Sequence, residues 1–75
     1  MRPEQLKQDR AALGLSQSRL ARLSQLPRFK IVFFELGDRP LSEEDRVRVR
    51  TALRAEARRL AGMATEIGRE LAAES

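Results

Sequence analysis

Histidine, cysteine, tryptophan and tyrosine are all missing from this 75-residue chain, and three phenylalanines are its only aromatics. Without cysteine there is no disulfide framework and no thiolate metal site. Without histidine the commonest metal ligand and general base is gone as well. No glycine-rich phosphate loop appears, and no candidate nucleophile has a base beside it. The adjacent carboxylates Glu43 and Glu44 open a helix, where they read as exposed. Composition therefore argues against catalysis, a metal or a cofactor. No apolar run approaches the length of a membrane span, and Met1 to Leu13 is too polar for a signal peptide. A soluble cytoplasmic protein without a membrane partner is the expectation.

What is present is charge and apolar periodicity. Charged residues make up 35% of the chain and hydrophobic ones 41%, a balance that suits a soluble helical domain once the apolar residues are periodic. The net charge is +4. Residues 1–41 hold eight Lys or Arg against four Asp or Glu, while residues 42–75 hold seven of each. The excess positive charge thus lies wholly in the first part, and a polyanion is a reasonable partner for it. Seventy-five residues make one small domain that buries only about 60% of its unfolded surface. With no disulfide to help, a second copy is the obvious source of further buried area.

Pro3 and Glu4 suit the start of a first helix, expected to run to Leu13 and stop at Gly14, with Leu6 and Leu13 inward. Ser16 is placed to cap a second helix. Leu20, Ala21 and Leu23 give it an apolar stripe containing one small residue. Pro27 marks a third start; Ile31 and Phe34 then face one way, and Gly37 supplies the stop. Two short helices joined tightly, with Ala21 where the backbones approach, read as a helix-turn-helix. Asp38, Arg39 and Pro40 are loop chemistry. Ser42 with Glu43, Glu44 and Asp45 opens a last helix with no proline before Glu74. Along it Leu53, Leu60 and Ile67 recur every seven residues, with Ala57, Ala64 and Leu71 four after each. Val49 and Leu53 are needed to close the core. The seam of Ala57, Leu60, Ala64, Ile67 and Leu71 has no such use and is expected to pack on a second copy. Gly62 and Gly68 each weaken the helix by about 1 kcal/mol relative to alanine, so a break near Gly62 stands open beside one long rod.

The stretch Ser16–Gly37 resembles the helix-turn-helix of phage repressors, Cro proteins and the wider xenobiotic-response-element-like regulators. The matching residues are Gly14, Leu15, Ser16, Gln17, Leu20, Ala21, Leu26, Ile31, Phe34, Glu35 and Gly37, and the likeness covers about Leu6 to Leu53. It implies an all-α domain of four or five helices, with a helix-turn-helix core over 1–53. Residues 54–75 would be a helical extension used for dimerisation. It also implies a homodimer on operator DNA with the third helix in the major groove, and hence a nucleoid-associated bacterial or phage protein. A repressor, an autorepressor or an antitoxin-like regulator would all fit. In the family an arginine at the Arg10 position pairs with the glutamate matching Glu35, a structural ion pair. Gln25 departs from the pattern, since it stands where the family usually has glycine; if left-handed, a glutamine there costs on the order of 1 kcal/mol, and a slightly reshaped turn is the alternative.

The outward residues of the third helix are Arg28, Phe29, Val32 and Phe33, which fall on the family's base-reading positions. Arg28 has the donors for guanine O6 and N7, while the other three offer only apolar contact, as with thymine methyls. Gln17, Arg19, Lys30 and Arg39 border that face and are the expected phosphate contacts; ordinary solvated charge is the plain reading of each arginine. Three readings of so apolar a face stay open. It reads DNA, it docks a protein partner through Phe29 and Phe33, or the helix is rotated so that one phenylalanine, Phe29 foremost, is core.

Overall fold

A computed structural model of the chain describes residues 1–74, and among them it is all-helical. α1 spans Pro3–Ala12, α2 Gln17–Ser24, α3 Arg28–Glu35 and α4 Glu43–Glu74. Each helix sends one side chain fully inward: Leu6, Leu20, Ile31 and Val49 have no exposed surface. Leu15, Ala21, Phe34, Leu41 and Ala52 complete the core, with Met1, Leu13, Leu26 and Leu53 packed on its edge. α2 lies against both α3 and α4; its contact side uses the small residues Ala21 and Ser24, which lets the helices approach closely.

Local chemistry accounts for where each short helix begins and ends. Pro3 stands in the first turn of α1, where its missing N–H costs nothing. The Ser16 hydroxyl accepts from the Arg19 amide at 3.0 Å, and that of Ser42 accepts from Asp45 at 3.1 Å. α1, α2 and α3 end alike. After each, a residue of positive φ is followed by one whose amide reaches back five positions: Leu15 to Arg10, Leu26 to Ala21, Asp38 to Phe33. This double-bonded cap needs a left-handed residue. Gly14 (φ 69°) and Gly37 (φ 80°) provide it without strain, whereas Gln25 adopts φ 58° with a full side chain.

Several expectations are corrected. α1 stops at Ala12, one residue short of Leu13, because the cap at Gly14 begins there. Leu23 is not part of the inward stripe of α2: it is 46% exposed, because Ser24, four residues after Leu20, takes the inward position. Phe29 is 51% exposed and Phe34 is the core phenylalanine, so the rotated arrangement of α3 does not occur. Gly62 does not interrupt α4, whose 32 residues run without a break, about 48 Å at 1.5 Å per residue. The rod sets the shape of the molecule, 51 × 19 × 18 Å. Its first half closes the core; from Ala61 to Glu74 every residue is exposed. No helix among the described residues is long and apolar enough to cross a membrane.

Candidate nucleic-acid interface

α3 is held from behind by one ion pair. Arg10, on α1, donates from Nε to Glu35 Oε2 at 2.8 Å and from its second amino group to Oε1 at 2.9 Å. This is the two-point geometry that guanidinium and carboxylate make best. Its remaining amino group donates to the Leu15 carbonyl at 2.9 Å, and Gln17 adds a bond to Glu35 Oε1 at 3.1 Å. The side chains of Arg10 and Glu35 are only 15% and 3% exposed. Burial pushes the Glu35 carboxyl upward, but the bonds from Arg10 and Gln17 with the charges of Arg10 and Lys7 outweigh it and hold it below its ordinary value. The bond to Glu35 raises Arg10 further. One carboxylate thereby ties α1, the start of α2 and the end of α3 together.

With Ile31 and Phe34 buried, Arg28 and Phe29 stand exposed on the opposite side, and Val32 and Phe33 are half-buried beside them. Phe29 and Phe33 meet edge to face, with ring centroids 6.2 Å apart, an arrangement aromatic quadrupoles favour. Arg39 lies over the Phe33 ring at 5.4 Å. These residues, with Lys30, Pro40, Ser42 and Asp45, enclose a shallow hollow of about 290 Å³. Among the described residues the side chain of Arg28 makes no ion pair or hydrogen bond. It is exposed, with neither a carboxylate nor an aromatic ring among those residues paired to it.

The four residues expected at phosphate are more engaged than sequence suggested. Gln17 is occupied by Glu35. Lys30 donates to Asp45 Oδ2 at 2.8 Å, and that bond, against the opposing effect of burial, holds the Asp45 carboxyl below its ordinary range. Arg19 reaches Glu56 at 3.8 Å. Arg39 rests on Phe33. Of the four, only Arg19 and Arg39 are exposed. The bond from Arg59 lowers Glu56, again outweighing its burial.

Asp45 and Glu56 were missed as anchors. Asp45 reads from the sequence as a carboxylate of the helix start, yet both it and Glu56 are buried. A signal was present: Asp45, Val49, Ala52 and Glu56, at spacings of four, three and four, share one side of α4, and that side is the one facing the core. The seam residues lie mostly at the surface of the chain. Ala57, Ala64, Ile67 and Leu71 are exposed, and Leu60 is half-buried. Among the described residues no cluster of His, Cys, Asp or Glu has the arrangement to hold a metal ion. Compared with protein-family models, with curated proteins and with solved structures, the chain matches none.

Proposed function

We propose that this protein is a sequence-specific DNA-binding regulator of the repressor or autorepressor kind, acting as a homodimer on a palindromic operator. The observation that carries the reading is the outer face of α3. A short helix, clamped from behind by Arg10 and Glu35, presents Arg28 uncompensated beside Phe29, Val32 and Phe33. That is a helix with a positioned guanine donor and apolar side chains for thymine methyls, small enough in cross-section to lie in the major groove. α2, capped by Ser16, aims its first amides toward the phosphate backbone, with Arg19 and Arg39 on the flanks. The positive excess confined to residues 1–41 supports the same partner. The α2–turn–α3 unit is read as a helix-turn-helix of the phage-repressor and Cro type, with the left-handed turn residue supplied by Gln25. In this reading the protein needs no cofactor and has no catalytic role.

Titrating a mixed-sequence duplex at two salt concentrations tests it. Binding that weakens steeply as salt rises is the expected result; no binding at low salt overturns the proposal.

A second reading rests on the Phe29–Phe33 pair. Two touching aromatics at the mouth of a hollow, with Arg39 stacked on one, also suit an anchor for a protein partner. In that case Phe33→Ala abolishes capture of the partner while duplex binding was never present.

A further inference from the structure

We propose that the free half of α4 pairs with the same segment of a second copy in antiparallel sense, centred near Gly62. Each copy's Leu71 then seats in the hollow between α1 and α4 of the other. The inference rests on the homodimer read above and specifies its geometry.

Side-chain size is the first argument. The seam runs Leu53, Ala57, Leu60, Ala64, Ile67, large and small by turns, and ends on a second large residue, Leu71; beyond Leu60 it is solvent-exposed, with Ile67 51% so. A parallel, in-register pair would set alanine on alanine at 57 and 64, and large on large at 60 and 67. The separation between the helices would then have to narrow and widen at successive layers, which close packing does not allow. Antiparallel pairing about Gly62 sets Ala57 against the second copy's Ile67 and Leu60 against its Ala64. Four central layers then each hold one large and one small residue, at a constant spacing. The operation is a two-fold rotation, so the interface is self-complementary and closed.

Charge agrees. Residues 50–59 carry Arg50, Arg54, Arg58 and Arg59 against Glu56, and residues 66–74 carry Glu66, Glu70 and Glu74 against Arg69. Antiparallel pairing lays the basic stretch of each copy along the acidic stretch of the other; parallel pairing lays like along like.

Two features inside the chain fit the same register. At the level of Leu53, where the second copy's Leu71 arrives, Ala12, Leu13, Leu53 and Ala57 line a mostly apolar hollow of about 310 Å³ rimmed by Asp9 and Arg54. Gly68 has no packing reason within the chain, since a Cβ there would meet nothing. In the antiparallel pair it lies on the flank beside the second copy's Arg54, where a bare backbone leaves room for that long stem.

Because the chain has no cysteine, single introduced thiols report the register. Ala57→Cys and Ile67→Cys, both at exposed positions, are made separately, tagged to differ in mass, and oxidised alone and as a mixture. A disulfide needs Cα atoms within about 7 Å, and in the proposed pair the two copies of residue 57 are about 15 Å apart along the axis. The expected result is a cross-link between the two variants in the mixture and none within either alone. Self-linking of Ala57→Cys overturns the antiparallel sense. A dimer by mass that forms no link in any combination overturns this interface while leaving the dimer standing, and a monomeric mass for the unaltered chain at all concentrations overturns both. Leu71→Ser, which empties two seats per dimer, should raise the dimer dissociation constant about a hundredfold; an unchanged constant overturns the seat.

Discussion

The two ends of this molecule are built on opposite terms. Up to Glu56 the chain covers its own core: four helices each bury one side chain completely, and the buried carboxylates Glu35, Asp45 and Glu56 each find a cation. From Ala61 to Glu74 the same helix continues with every residue exposed. Its apolar side chains repeat as regularly as those of the first half, yet Ile67 and Met63 stand about half exposed. Periodicity alone, then, does not say what covers a helix face. In the first half the occupant is the chain; in the second it must come from outside, or the seam remains wet.

Core substitutions should break that contrast most sharply. Leu20→Ala is expected to lower stability by about 2–5 kcal/mol, a large part of what so small a domain possesses, read as a fall in the thermal midpoint. Ile67→Ala, similar in chemistry, should change the unfolding of the dilute chain by less than about 0.5 kcal/mol. Equal losses at both positions would mean that the rod is packed after all.

Next in size is the Arg10–Glu35 clamp. Glu35→Gln keeps the shape and removes the charge, and should cost about 2 kcal/mol in denaturant unfolding, as for a hydrogen-bonded charged pair. The carboxyl of Glu35 is held below its ordinary value of 4.5 in the folded chain. Its contribution is therefore full above that value and is lost as pH falls through the lower folded one. Wild type should lose stability on acidification, and Glu35→Gln should lose less over the same window. Parallel acid profiles for the two would remove the clamp from the explanation.

Smaller again is Arg28→Ala, which buries nothing and should leave unfolding unchanged. It is expected to cost about 1–3 kcal/mol in binding to a preferred duplex and to relax preference at one base step; equal weakening on every sequence would move Arg28 to the phosphate backbone. The smallest effects are gains. Gln25→Gly relieves a left-handed side chain, and Gly62→Ala improves a helix interior; each should stabilise by about 1 kcal/mol. Gln25→Gly acts at the turn and Gly62→Ala on the outer side of the rod, away from the seam, so neither should alter the mass of the assembly.

Much of this fold was legible because its signals are local. Pro3, Ser16, Gly14, Gly37 and Ser42 act within one turn of themselves, and the inward positions Leu6, Leu20, Ile31 and Val49 follow from helical spacing. The features that sequence hid depend on which of several neighbouring faces turns inward. Ser24 displaced Leu23 because a small residue lets α2 approach α4, and Asp45 and Glu56 went inward because Lys30 and Arg59 were there to meet them. The engagement of Lys30, Arg19 and Gln17 by carboxylates was invisible for the same reason: their partners lie 15 to 37 residues away in the chain.

Selection of duplexes from a random pool by the unaltered protein tests most directly whether the outer face of α3 reads DNA. Enrichment of a short two-fold-symmetric motif, with guanine at the step lost on Arg28→Ala, is the expected result. A pool that stays random after repeated rounds at low salt would contradict it.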